Sequence, residues 1–392
     1  MYPASNGDAF LIRAGRSNVL VDGGYAQTFD DHISHDLREL ARRGGRLNLI
    51  IASHIDADHI SGLIRFLSVN GSAADPKIVP IDNILHNSLR SLTGANEEKI
   101  GSSNQEILKA IRRRGHPSPS APSMGEASEV SARQGSSLAS LIHGKGYRWN
   151  LGDGTASIAL NSTHLLSLPN GNVRVIGPTQ GRLGGLLKWW KGQLRQMGYT
   201  GPMGTGDLID DAFEFTCEHA PKSTAKRPSL LAAGAHKTLD EVYQPDTSIT
   251  NSSSIAVIVE LGGSRILMLA DAWAEDACEA LRALQSQGCS MVFDAIKISH
   301  HGSLSNTSPE LLRLVDAPKY LVSSSGVAHD HPDIEVLAAI VDRPASFSRA
   351  LYLNYSTPAS RLIQNHRSRS GAEFTVHENA TDWIELGGDI SD

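Results

Sequence analysis

Four side chains able to hold a metal fall within six residues, His54-Ile55-Asp56-Ala57-Asp58-His59. Imidazole nitrogens and carboxylate oxygens bind divalent ions, and two adjacent ions can polarise an electrophile and make water nucleophilic. If the backbone stays extended here, residues 54, 56 and 58 project to one side and His59 turns to the other, which serves two neighbouring ions. The competing reading is a solvated acidic turn, and the density of imidazoles and carboxylates at one point argues against it.

Three more places offer ligands of the same kind. Asp271 ends an apolar approach through residues 267–270 and is either a bridging carboxylate or the N-cap of a helix beginning at Ala272. In Ser299-His300-His301-Gly302-Ser303 the two histidines cannot both point the same way from an extended chain, so one binds and the other orients or packs. His329-Asp330-His331-Pro332 marks a strand-to-helix turn in which Pro332 suits the first helical position. It is either a third histidine site or a capped helix start.

The elements that must position these residues follow one plan twice. Apolar runs at residues 9–13 and 18–21 read as a hairpin ending in Asp22-Gly23-Gly24, and Ile33, Leu37, Leu40 and Ala41 have the period of one buried helical face. The continuous apolar run 47–52 then reads as a strand covered on both faces, delivering the chain to Ser53-His54. Residues 254–261 and 265–269 form a second hairpin ending at Asp271, and a helix with Ala277, Leu281 and Leu284 follows. The run 292–298 leads as a buried strand into Ser299-His300-His301, with a further strand at 320–322. Both parts read hairpin, acid, helix, strand, histidine, an α/β plan of two similar halves whose strand ends face one another across a shared cleft. Between them, residues 114–137 are rich in Ser, Pro and Gly and read as an exposed loop or insertion. Residues 183–197 read as a helix, 199–207 are Gly-rich, and edge strands are expected at 350–353 and 374–376.

Composition limits the function classes. The 392 residues accommodate two or three average domains of ~150 residues, or one large one. With 40% hydrophobic and 20% charged residues the chain is an ordinary globular protein, which excludes a disordered, collagen-like or coiled-coil chain. Lys and Arg number 36 against 42 Asp and Glu, a net charge of -6, so any nucleic-acid contact is local rather than bulk electrostatics. Cys217, Cys278 and Cys289 form no CxxC pair and fit a reduced compartment. No signal peptide is evident, and the most apolar window, 254–272, is broken by Glu260, Arg265 and Asp271, so the expectation is a cytoplasmic protein without membrane contact. There is no GxSxG elbow, phosphate loop or dinucleotide fingerprint. Lys188-Trp189-Trp190-Lys191 either stacks bases between cations or packs in the core, and Arg112-Arg113-Arg114 either touch phosphates or answer a helix dipole.

Taken together, the residues resemble the metallo-β-lactamase-fold hydrolases, with their His-x-His-x-Asp-His loop, and most of all the hydrolase domain of bacterial competence DNA-uptake proteins. The matching stretches are Gly7-Asp8-Ala9, Asp22-Gly23-Gly24, Ser53 to Ile60, Ser299 to Ser303 and His331-Pro332, in that order across residues 6–335. The resemblance implies a four-layered αββα sandwich, with residues 1–392 as one domain carrying insertions or long loops at 100–150 and 199–250. It implies His54 and Asp56 on one metal, Asp58 and His59 on the other, Asp271 bridging, and His301 completing the second metal with His300 the alternative. Asp58 would also help hold the attacking water. Asp22 would orient ligands or be a simple turn acid, and His331 would contact the substrate or its leaving group. Asp56 stands where the wider family has histidine, as in the competence-type relatives. The family's third ligand to the first metal has no clear match, Asn251 standing nearest to its place. Three carboxylates, Asp56, Asp58 and Asp271, make two ions of zinc or of manganese the expected cofactors.

The activity implied is a metal-dependent hydrolase, a phosphodiesterase or nuclease acting on nucleic acid or a small phosphodiester. The alternatives are hydrolysis of a small ester, lactone, lactam or cyclic nucleotide, and a metal-stabilised module binding a protein partner in a bacterial system such as defence against phage.

Overall fold

The computed structural model describes residues 1–94, 99–114, 137–160, 165–220, 237–327 and 330–387. The first hairpin pairs β1 (Phe10–Ala14) with β2 (Ser17–Val21), Phe10 opposite Val21. Strand β3 (Leu49–Ala52) lies parallel to β2, and β6 (Ile84–His86) lies parallel to β3, giving a four-stranded sheet in the order β1-β2-β3-β6. A two-stranded ribbon of β4 (Gly71–Ser72) and β5 (Asp75–Pro76) precedes β6.

The second sheet has eight strands in reverse chain order, β14 to β7. Its antiparallel part is β7 (Leu166–Leu168), β8 (Gly171–Val175), β9 (Val257–Leu261) and β10 (Ser264–Met268). Its parallel part continues through β11 (Ala295–Lys297), β12 (Lys319–Val322), β13 (Arg349–Leu353) and β14 (Phe374–His377). The expected plan of hairpin, acid, helix, strand and histidine is present twice, with helices Ser34–Arg42 and Ala274–Ser286 as crossovers into parallel strands.

Side chains alternate across a strand, so each sheet has two faces to cover. Val19, Val21, Ile51 and Leu85 of the first sheet share one apolar cluster with Val173, Val257, Val259, Ile266 and Met268 of the second. From the first sheet's other face, Leu20, Ile50 and Ile84 join Leu37 and Leu40 of helix Ser34–Arg42 and Leu63, Phe66 and Leu67 of helix Ala57–Asn70. From the second sheet's other face, Leu267, Ile296, Val322 and Leu351 join Leu281 and the Val336, Leu337 and Ile340 of helix Ile334–Val341.

One expectation needs correction. The strand expected at 350–353 is not an edge: β14 pairs along it, and Leu351 and Leu353 are buried in the cluster under the second sheet's helices. Parts of the stretches expected as insertions or long loops are helical in the described residues and pack on the core. Helices Ser102–Arg114, Leu138–Gly144 and Asp207–Glu218 bring Leu108, Ile111, Leu138, Ile142, Phe213 and Cys217 into the first sheet's outer cluster. Most of the stretch expected as a loop at 114–137 lies outside the described residues, as do the side chains of Arg113 and Arg114. Trp190, in helix Gln180–Gln196, is fully buried with its ring edge-to-face against Phe213 at 5.2 Å, so it packs rather than stacks on bases. Arg112 reaches the Asp211 carboxylate at 3.2 Å. Among the described residues no helix is long and apolar enough to cross a membrane.

Candidate metal centre

Strand β3 delivers Ser53 and His54 to the sheet's C-terminal edge, and the chain stays extended only as far as Asp56 (φ -114°, ψ 142°). Helix Ala57–Asn70 begins at the next residue, so Asp58 and His59 sit in its first turn and not on an extended strand as expected. A helix advances about 100° per residue, which swings His59 back beside His54; the two rings stand 4.2 Å apart, on the same side and not on opposite sides. The helix can sit this close because Gly62 faces Gly23, where an added Cβ would lie 1.9 Å from the Gly23 carbonyl oxygen. Asp22, left-handed at φ 56°, closes the arrangement. Its carboxylate accepts from Ser53 N and Ser53 Oγ, both at 2.7 Å, and from His59 Nδ1 at 2.8 Å, so it is more than a turn acid.

Asp271 follows β10 in the equivalent place. Trp273 and not Asp271 is the N-cap of the next helix, which leaves the carboxylate for other partners. Its Oδ2 stands 3.7 Å from His54 Nε2, 3.6 Å from His59 Nε2, 3.6 Å from His300 Nε2 and 3.9 Å from His301 Nε2. His54 Nε2 also lies 3.7 Å from Asp56 Oδ2, and His301 Nε2 lies 3.7 Å from Asp58 Oδ2.

The expectation that only one of His300 and His301 could face the site fails on backbone geometry. Both residues are left-handed, at φ 46° and φ 55°, and not extended, so both rings turn inward. Left-handed non-glycine residues cost of order 1–3 kcal/mol each and gather at functional sites; here Asp22, Ala270, His300 and His301 all belong to the one cluster.

His331 stands at its margin, its ring 5.3 Å from that of His300 and its Nδ1 3.3 Å from Asp333 Oδ2. The helix after it begins at Ile334 with Asp333 as N-cap, so Pro332 precedes the helix and does not occupy its first turn. His329 lies outside the described residues. Asn251 donates its amide to Asp246 Oδ2 at 2.7 Å and lies 3.4 Å from His300 Nδ1.

Whether these residues suit metal ions can be tested on the atoms themselves. His54 Nε2, His59 Nε2, His301 Nε2 and Asp271 Oδ1 are buried without a hydrogen-bond partner. Such orphans are rare in folded proteins and call for a missing ligand or ion. Two atoms each about 2.1 Å from one ion stand roughly 3–4 Å apart, and the separations of 3.6–3.9 Å have that spacing. His54, His59 and Asp271 form one set of ligand atoms within 4.8 Å of one another, and Asp58, His59 and His301 form a second. His59 and His301 each turn Nδ1 to an oxygen, of Asp22 at 2.8 Å and of the Ser323 carbonyl at 2.8 Å, which leaves Nε2 as the lone pair, the pattern of metal-ligating imidazoles. The residues fit divalent ions.

Sequence reasoning missed what holds the cluster from beneath. Lys297, the last residue of β11 and 1% exposed, forms an ion pair with Asp8 Oδ2, donates to the Ala270 carbonyl at 3.0 Å and lies 3.8 Å from Asp271 Oδ1. A lysine inside the apolar run 292–298 was the available signal, because lysine is almost never fully buried unless paired. Asp246 and Asn306, buried polar residues in loops, carried no such signal.

Burial pushes the Asp8 carboxyl up, but Lys297, His301 and His59 hold it well below the usual carboxylate range. Asp271 is likewise raised by burial and lowered by more by His300, His59 and His301. Burial lowers His59, yet Asp271 and Asp22 leave it above its ordinary value, and Asp8 and Asp271 do the same for His301. Groups raised in the folded state stabilise fully below the unfolded value, ~6.5 for histidine, and lose that contribution as pH rises past it. The depressed Asp8 and Asp271 contribute above ~3.9 and lose it in acid. The metal-free protein is therefore expected to melt at lower temperature as pH rises from about 6 to 8, while the stabilisation by added zinc or manganese grows as those protons leave. Thermal melts of stripped and loaded protein across this interval check both trends; a stabilisation independent of pH contradicts them.

A family model described as the metallo-beta-lactamase superfamily matches residues 2–86, the stretch that carries β1, β2, β3, β6, Asp22 and the His54-to-His59 run. Asp271, His300, His301 and His331 lie beyond it. No curated protein matches the chain.

Proposed function

We propose that the chain is a metal-dependent hydrolase acting on phosphodiesters. The observation that carries this reading is the convergence of buried, unpartnered imidazole nitrogens on the single oxygen Asp271 Oδ2. In this reading residues 1–392 are one domain, and the three apolar clusters are the interiors of a four-layered αββα sandwich, one between the sheets and one under each helical layer. His54 and Asp56 would hold one ion, Asp58, His59 and His301 the other, and Asp271 would stand between them. When bound, divalent ions supply Lewis acidity, which polarises the electrophile and makes water a nucleophile near neutral pH.

The chain's own residues supply the rest. Asp22 fixes the ring plane of His59 through its bond to Nδ1, and Ser53 Oγ, 3.1 Å from His54 Nδ1, fixes that of His54. Asp58 would help hold the attacking water. His331, beside His300, is the group available to protonate the leaving oxygen. Asp56, Asp58 and Asp271 give the centre enough carboxylate oxygen for manganese as well as zinc. A net charge of -6 restricts nucleic acid to local contact, so a short or single phosphodiester is the substrate that asks least of the surface.

The test is hydrolysis of bis(p-nitrophenyl) phosphate by metal-stripped protein after zinc or manganese is restored. Turnover should appear with the ion and fall about 10²–10³-fold in Asp58→Ala, the scale of losing one preorganised electrostatic group. Turnover of p-nitrophenyl acetate alone would assign a carboxylic ester instead. No turnover of either, with ions bound, would overturn the hydrolase and leave a metal-stabilised partner module.

A further inference from the structure

We infer that His300 is itself a metal ligand, pairing with His54 on the first ion, and that Asn306 and Asp246 are the residues that aim it. This rests on the metal-dependent reading above and deepens it, because it gives each ion two imidazoles, His54 with His300 and His59 with His301.

Three observations carry the inference. His300 Nε2 stands 3.6 Å from Asp271 Oδ2, the same distance as His59 Nε2 and closer than His301 Nε2 at 3.9 Å. Its Nδ1 lies 2.7 Å from Asn306 Oδ1. The orientation of that amide is fixed, because Asn306 Nδ2 donates to Asp246 Oδ2 at 2.9 Å and to the Asp271 carbonyl at 3.0 Å, so the atom facing His300 is the acceptor. Nδ1 of His300 therefore carries the proton and Nε2 the lone pair, as in His59 and His301. Asn251, at 3.4 Å from the same Nδ1, is too distant to reverse this, and its amide is already held by Asp246 Oδ2 at 2.7 Å.

The third observation is the backbone. His300 is left-handed at φ 46°, and in that conformation its ring stands toward Asp271. Strain of that kind persists only where surrounding contacts over-determine it, and the Asp246 network supplies those contacts. The donor set on the first ion becomes two nitrogens and two carboxylates, which suits zinc better than the single imidazole it would otherwise have.

The experiment titrates metal-stripped wild type, His300→Ala and Asn306→Ala with zinc against a chelating dye, and records the visible absorption of each after cobalt(II) loading. Wild type is expected to take up two ions. His300→Ala should bind one of them at least about 100-fold more weakly with reduced cobalt absorption, and Asn306→Ala, which keeps the imidazole, should weaken the same ion about 10–100-fold. Circular dichroism checks that each variant is folded, and Asn306→Ala decides the matter if His300→Ala is not. Two ions at wild-type affinity and an unchanged cobalt spectrum in the folded variants would overturn the role of His300 while leaving the metal centre standing. No uptake by wild type would overturn both.

Discussion

Asp271→Ala should remove both ions at once and reduce phosphodiester turnover by about 10³-fold, the upper end for loss of one electrostatic group at a reacting centre. The reason is geometric: Oδ2 of this one carboxylate is within 3.6–3.9 Å of the Nε2 atoms of His54, His59, His300 and His301. Its removal also takes away the one negative charge these imidazoles share, leaving Asp22 beside His59, Asp8 and Asp58 beside His301 and Asp56 beside His54, so the positive charges of the cluster oppose one another more strongly. Metal content and turnover measured on the same preparation check this. A folded variant that retains both ions would show that Asp271 does not bridge.

Lys297→Met should destabilise the protein by about 3–5 kcal/mol, the cost of removing one partner from a buried ion pair. Lys297 is 1% exposed and Asp8 is 1% exposed, so water cannot replace the lost partner. Above the carboxylate range Asp8 would lose its strongest opposite charge and keep the weaker influence of His301 and His59. The loss should shrink in acid as the carboxyls protonate. A double variant, Lys297→Met with Asp8→Leu, should recover part of the loss, because an apolar pair of similar volume removes the stranded charge. Urea denaturation of the three proteins measures the difference. A change below about 1 kcal/mol in the single variant, the worth of an exposed pair, would mean that the pair does not carry the charge balance argued here.

How far the sequence reveals this site depends on which contacts are local. The His54-to-His59 run is legible because its ligands are contiguous and follow the continuous apolar stretch 47–52, within which β3 lies at Leu49–Ala52. The start of the next helix is not legible. Asp56 is of a type that caps helices, but Asp58 is equally so and Asp56 makes no side-chain capping bond, so residue types alone do not single out Ala57 as the start, which decides the side His59 faces. The paired orientation of His300 and His301 is hidden for a different reason. Two left-handed non-glycine residues in succession are imposed by contacts with Asn306, Asp271 and Ser323 and not by local preference. Asp8 and Lys297 lie far apart in the chain, and Lys297 is visible only as an anomaly in an apolar run. The second sheet's strands are legible from their apolar runs, but the place of β13 inside the sheet depends on its partner β14, whose half-buried residues carry a weak pattern.

The cluster around Asp271 should hold two divalent ions, and this is the expectation on which the rest depends. It is tested most directly by loading the metal-stripped protein with zinc or manganese, desalting it, and measuring metal against protein by inductively coupled plasma mass spectrometry. Two ions per chain are expected; a folded protein that retains none would show that the cluster is not a metal centre.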